Sequence, residues 1–149
     1  MKRFVTRTPE ETMDVAADVA LSLREGDVVA LVGDLGAGKT VFVKGLAKGL
    51  GVSEYMYVNS ASFVVMKEYS GRKDLYHFDV YRLDLGSFRE TVDYERYFYG
   101  RGVTAVEWAD RITDLLPEEY LEVSIEYGRE RERTLTLRPV GRRFEDTFV

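Results

Sequence analysis

Residues Gly33 to Thr40 read Gly-Asp-Leu-Gly-Ala-Gly-Lys-Thr, a full match to the phosphate-binding pattern G-x-x-x-x-G-K-[ST]. The flanking sequence constrains the fold as strongly as the motif does. Val28-Val29-Ala30-Leu31-Val32 is an unbroken apolar run, which predicts a buried strand leading into the loop. After the loop, apolar residues at 42, 43, 46, 47 and 50 keep the spacing of one helix face, and Gly51 supplies a stop. Strand, glycine-rich loop and helix N-terminus together make an anion site, because backbone N–H groups converge there and the helix dipole favours negative charge. The expected nucleotide contacts are Gly36, Ala37, Gly38, Lys39, Thr40 and Val41. Lys39 is assigned to the β- and γ-phosphates and the Thr40 hydroxyl to Mg²⁺, so the implied ligands are ATP and Mg²⁺.

The rest of the chain reads as one domain over 1–149. Thr8-Pro9-Glu10-Glu11 has a hydroxyl at the N-cap, proline at the first helical position and Glu11 closing a capping box. Apolar positions 13, 16, 17, 20 and 23 carry this predicted helix toward Gly26. Residues 62–69 and 74–81 are β-rich and separated by Ser70-Gly71-Arg72-Lys73, a hairpin signature. A polar, aromatic-rich helix is predicted over 87–99, ended by Gly100, followed by a buried strand at 103–106. A final meander pairs 120–126 with 132–138 across Tyr127-Gly128-Arg129, and 1–6 is a short first strand. The fold class is therefore α/β, a P-loop NTPase domain whose mixed parallel and antiparallel sheet is flanked by helices.

Composition excludes several alternatives. With no cysteine and one histidine among 149 residues, disulfide frameworks, zinc–thiolate sites and histidine-cluster metal sites are ruled out. A net charge of −5 argues against a whole-surface grip on nucleic acid. No apolar stretch approaches bilayer-spanning length, so the expectation is a cytoplasmic protein with no membrane partner.

A P-loop needs carboxylates at the ends of neighbouring strands, one for the Mg²⁺ shell and one to position the attacking water. Glu107 ends the apolar run 104–106 and is assigned to Mg²⁺; Asp79 ends 75–78 and is assigned to the water, and the two roles are interchangeable at this stage. Lys39, Asp79 and Glu107 are the catalytic candidates. His77 shares a strand face with Asp79, which allows a His–Asp pair or a hydrogen-bonded structural histidine. Trp108 is a nucleotide-facing, docking or core residue, and Arg82 a charge stabiliser or an ordinary ion pair. Arg129, Arg131 and Arg133 alternate with Glu130 and Glu132, the pattern of a charged sheet edge. Arg131 is also a candidate nucleotide contact, and so is Glu11, although its capping role is a sufficient explanation.

The phosphate loop at 33–40, His77-Phe78-Asp79-Val80-Tyr81-Arg82-Leu83 and Val106-Glu107-Trp108 resemble, in order and spacing, the three signatures of the TsaE (YjeE) family. That resemblance implies a bacterial ATPase of tRNA threonylcarbamoyladenosine (t6A) synthesis. It implies docking on the TsaB–TsaD pair, contact with tRNA only through that complex, and ATP hydrolysis that resets the complex between turnovers. The family's Ser-Pro-Thr-Phe/Tyr segment is replaced here by Ser60-Ala61-Ser62-Phe63; Ser62 keeps a hydroxyl, while loss of proline frees the backbone at 60 and 61. Two other classes fit the same loop: a small-molecule kinase, for which 149 residues leave little room for lid and acceptor subdomain, and a nucleotide-dependent binding module. A GTPase is disfavoured because Asn-Lys-x-Asp is absent.

Overall fold

A computed structural model describes residues 1–61 and 65–148. Seven strands form one sheet in the order β1-β7-β6-β2-β5-β4-β3. They are β1 (Lys2–Thr6), β2 (Val28–Gly33), β3 (Met66–Tyr69), β4 (Leu75–Asp79), β5 (Val103–Glu107), β6 (Tyr120–Tyr127) and β7 (Arg133–Val140). The central strands β6, β2, β5 and β4 are mutually parallel, and antiparallel pairs β6–β7, β7–β1 and β4–β3 extend the sheet on both sides. The architecture is the expected α/β fold with a mixed sheet. The β6–β7 hairpin overturns one expectation, because β7 lies between β6 and β1 and is not a charged edge.

Alternation of side chains across the pleat gives two cores. One face buries Val29, Leu31, Leu75, Ala105, Leu121, Val123 and Ile125 under α1 (Pro9–Ala20) and α2 (Lys39–Gly49). The other buries Val28, Ala30, Phe78 and Val106 under α3 (Leu85–Thr91), α4 (Tyr94–Phe98) and a 3₁₀ segment at Ala109–Leu115. Phe144 and Phe148 complete the first core from the C-terminal turns, anchored where Arg143 meets Asp27 at 2.8 Å.

Two helices differ from the sequence expectation. α1 stops at Ala20 because the chain tightens into i→i+3 bonds, Leu21 N–H to Asp18 O and Ser22 N–H to Val19 O. Leu23 still reaches the core from that turn, so the apolar period outlasts the helix. The helix expected over 87–99 is split at Val92, whose φ of −120° and ψ of 128° are extended. On one straight helix Phe88 and Phe98 would point about 80° apart. The break lets both rings meet Phe78, at 5.9 and 5.7 Å between centroids.

The α1–α2 packing fixes where the glycine-rich loop at 33–40 sits. A Cβ on Gly45 would lie 2.4 Å from Met13 O and 2.6 Å from Ala16 Cβ; one on Gly49 would lie 2.5 Å from Ala17 O. Backbone therefore packs on backbone across this seam. Gly45→Ala is expected to destabilise the protein by about 1–3 kcal/mol through overpacking, which exceeds the roughly 1 kcal/mol gain in helix propensity. Gly86→Ala, where the nearest atom is Asp84 Oδ1 at 3.6 Å, serves as the control and should be neutral or stabilising. Thermal unfolding of both variants checks the contrast.

Candidate functional site

Parallel pairing brings three strand ends to one edge of the sheet. Leu31 of β2 is level with Glu107 of β5, and Glu107 is level with Asp79 of β4. The glycine-rich loop leaves β2 at this edge and turns into α2 through Gly36 (φ 77°) and Gly38 (φ 115°), conformations that disfavour any side chain. These turns aim the loop's backbone toward the space ahead of α2.

Thr40, in the first turn of α2, donates its hydroxyl to Glu107 Oε1 at 2.9 Å. The other Glu107 oxygen lies 2.5 Å from His77 Nε2. Asp79 Oδ1 accepts from the Tyr81 N–H at 3.0 Å, and Ser60 donates to Oδ2 at 3.4 Å. Burial raises the Asp79 carboxyl above its ordinary 3.8, and the Glu107 charge adds to the rise against the Tyr81 bond. His77 thus pairs with Glu107 across the strands rather than with Asp79 on its own strand.

Lys39 is buried and folds back on the loop, donating to Gly33 O at 2.7 Å and Asp34 O at 2.8 Å. Its ammonium also lies 4.0 Å from the centre of the Trp108 ring. Trp108 reaches this position because its backbone is left-handed, with φ at 63° immediately after β5. Burial lowers the Lys39 ammonium from its usual value of 10.5, opposed by Glu107, Asp79, Asp110 and Asp34.

Two clefts meet along the loop. One, of about 290 Å³, is lined by Leu35, Lys39, Thr40, Ser60, Asp79, Glu107 and Trp108 among others. The second, of about 380 Å³, lies beyond Gly36–Gly38 and Val41, between Arg7, Pro9 and Thr12 on one side and Arg131 and Arg133 on the other. The structure therefore assembles Gly36, Gly38, Lys39, Thr40, Val41, Asp79 and Glu107 around the first cleft, and Ala37 and Arg131 around the second. Glu11 stays outside both sets of lining residues; its carboxylate accepts the Arg7 N–H at 2.6 Å while its own N–H binds Thr8 Oγ1. Arg82 is exposed after β4 and does not line the first cleft. Ser62 lies outside the described residues.

The sequence model described as "Threonylcarbamoyl adenosine biosynthesis protein TsaE" matches residues 6–135. The chain belongs to the TsaE family. It is 46% identical over 148 residues to the tRNA threonylcarbamoyladenosine biosynthesis protein TsaE of Bacillus subtilis, covering 97% of this chain and 91% of that one. It is 40% identical to the Treponema pallidum TsaE, covering 91% of this chain and 98% of the other. The crystal structure of Bacillus subtilis YdiB superposes with a TM-score of 0.80 at 41% identity, over 97% of this chain and 88% of that one. No helix among the described residues is long and apolar enough to cross a membrane.

Sequence reasoning missed part of the wall of these two clefts. Arg7, Thr8, Pro9 and Thr12 line the second cleft, yet the helix-start pattern at 8–11 explained those residues as a cap alone. Tyr127 donates to Leu35 O at 2.7 Å and Arg133 to Ala37 O at 3.2 Å, bracing the loop from the β6–β7 hairpin. The turn signal at 127–129 marked the hairpin but carried nothing about what its tip touches.

Asp79 gives a test of the electrostatics. Because its folded pKa is raised, ionisation costs the folded state. That cost is absent below the unfolded carboxylate value, grows as pH rises through the gap, and is complete above the folded value. Asp79→Asn removes it and keeps an acceptor for Tyr81. The ligand-free variant should melt higher than wild type at neutral pH, with the difference shrinking as the pH falls toward about 4. Thermal melts across this range check the sign.

Proposed function

We propose that this TsaE-family chain binds ATP with Mg²⁺ in the paired clefts and hydrolyses it. In this reading it docks on the TsaB–TsaD complex and resets it between turnovers of t6A synthesis in the cytoplasm. The observation that carries the reading is the convergence of Lys39, Thr40, Glu107 and Asp79 on one cleft at the N-terminus of α2.

The donor chemistry fits Mg²⁺. Among the described residues no group of three or more His, Asp or Glu side chains forms a metal cage. A hydroxyl and one carboxylate at 2.9 Å suit an ion that keeps most of its waters and takes phosphate oxygens for the rest. Thr40 and Glu107 would hold it, and when bound it neutralises charge building on the phosphate oxygens.

The chain's own groups supply the remainder. Backbone N–H groups of Gly36 and of Gly38 to Val41 cradle the phosphates, while that of Ala37 closes the turn on Asp34 O at 3.1 Å. Lys39 exchanges its two carbonyl partners for phosphate oxygens, which offer full negative charge in place of dipoles. Asp79 orients a water toward the γ-phosphorus. As that oxygen bonds to phosphorus, the bond to the β–γ bridging oxygen breaks, ADP departs with the electron pair, and the water's proton passes by way of Asp79. Its raised pKa brings the carboxyl nearer the range useful for a proton acceptor. Pro9, Val41 and the arginines at 7 and 131 form the wall for base and ribose. The lining of the phosphate-side cleft contains one lysine and no arginine among the described residues, which supports activation by a partner that adds charge in trans.

Calorimetry with ATP tests the site. Lys39→Ala should remove measurable binding while leaving the melting temperature near wild type; retained affinity would refute the placement. Glu107→Gln should lower Mg²⁺-dependent hydrolysis about a hundredfold while weakening nucleotide binding much less. Phosphate release by the chain alone should be slow and rise steeply, within the ~10³–10⁵ range of an added arginine, when TsaB and TsaD are supplied together. Trp108→Ala should blunt that rise. Rapid turnover alone, unchanged by the pair, would return the stand-alone enzyme; label passing to a metabolite would identify a kinase.

A further inference from the structure

His77 is the single histidine of the chain and is fully buried in β4, level with Ala105 of β5. Its Nε2 lies 2.5 Å from Glu107 Oε2, while its Nδ1 is buried with no hydrogen-bond partner among the described residues. Leu75, two residues earlier on the same face, and Ala105 beside it are core residues. An apolar side chain would satisfy the packing of this face equally well, and the one thing it could not do is partner Glu107 Oε2. A ring with one buried nitrogen unpartnered among the described residues carries a desolvation cost, so packing does not account for it, and what the ring touches must.

What it touches is the far oxygen of Glu107, whose near oxygen accepts from Thr40. A glutamate has three side-chain torsions, and a single bond to a threonine hydroxyl does not fix them. The strongest competitor for this carboxylate is Lys39, the cation of the same cleft, whose ammonium feels the Glu107 charge more than that of any other carboxylate. Turning toward Lys39 would take Glu107 off Thr40 and occupy the lysine. A second hold from beneath, on Oε2, prevents both.

We propose that His77 is a positioning residue: by gripping Glu107 Oε2 it keeps Oε1 on the Thr40 hydroxyl and Lys39 free for phosphate, and so sets how tightly the chain takes Mg²⁺ with a nucleotide. This rests on the reading of the cleft as an Mg²⁺–nucleotide site, and it adds a residue that does not itself touch metal or phosphate. Partners one bond removed from a metal site typically change affinity 10–100-fold when removed.

The lone histidine makes the test selective, since nitrogen-labelled histidine reports His77 alone. In the wild-type protein with ADP, adding Mg²⁺ should move the Nε2 resonance, whereas ADP with chelator should leave it nearly in place. By calorimetry, His77→Met should bind ADP in chelator as wild type does, yet need about tenfold more Mg²⁺ for the same enhancement. His77→Gln, whose amide reaches the Nε2 position, should recover most of the effect; His77→Asn, one methylene shorter, should not. A resonance indifferent to Mg²⁺ in a protein that binds Mg²⁺–ADP would overturn the proposal, and so would a His77→Met variant that loses only thermal stability. If the variants do not fold, the wild-type resonance decides alone. Wild-type ADP affinity that ignores Mg²⁺ altogether would instead sink the metal reading on which the inference stands.

Discussion

Parallel register among β2, β5 and β4 is the constraint on which the rest of the site depends. Parallel strands end at the same edge, so a loop leaving β2 must find the last residues of β5 and β4 beside it. Side chains alternate across the pleat, and a slip of one residue in β5 would send Glu107 to the α3–α4 face and leave Thr40 without its acceptor. The opposite side of the site is set by α2, whose height over the sheet follows from backbone contact with α1 at Gly45 and Gly49. Sheet register and helix seam together place a hydroxyl and a carboxylate at 2.9 Å, although they are 67 residues apart in sequence.

The site is electrostatically unbalanced in a direction that suits a phosphate ligand bound with a cation. Lys39 is the one cation lining the phosphate-side cleft among the described residues, and Asp79 and Glu107 line it too. Buried charge is tolerated when paired and hydrogen-bonded. Lys39 meets that requirement through two loop carbonyls and an aromatic face, which are weaker partners than an anion. Glu107 meets it through Thr40 and His77, and Asp79 through the Tyr81 N–H and Ser60. Each group is held in place by a neutral or local partner that a ligand of higher charge can outbid.

Much of this was legible in the sequence because it is local. The loop at 33–40 needs only contiguous residues to declare an anion site, and the apolar runs at 28–32 and 103–106 declare buried parallel strands. Asp79 and Glu107 stand out by the same logic, as carboxylates ending strand runs, and the structure brings both to one cleft. What spacing does not carry is mostly non-local. A hydrogen-bonded structural histidine at 77 is readable from the sequence, but its partner is not, because Glu107 arrives from β5 and strand order cannot be seen from spacing. The break at Val92 follows from the need to bring Phe88 and Phe98 to one ring, Phe78, which lies on another element. The arginines after Tyr127 read as an edge because nothing in the hairpin itself announces that β1 will cover β7.

Several features of the site are unfavourable to the fold taken alone: a left-handed Trp108, a His77 nitrogen with no partner among the described residues and a carboxylate at 79 that resists ionising. A left-handed non-glycine residue alone costs on the order of 1–3 kcal/mol, a large share of the 5–15 kcal/mol by which domains are stable. The two cores absorb that cost, being built from long apolar strands on both faces of one sheet. The three features are clustered: Trp108 adjoins Glu107 in sequence, His77 bonds Glu107, and Asp79 is level with it across the strands. Strain spread at random through a fold would weaken it without consequence for chemistry. These three, gathered around one carboxylate, leave the two faces of the sheet well packed and give its edge a set of groups whose best partners come from outside the chain. A ligand that binds only the folded state stabilises it in proportion to its affinity, and here the groups that would meet such a ligand are the ones the fold satisfies least well on its own.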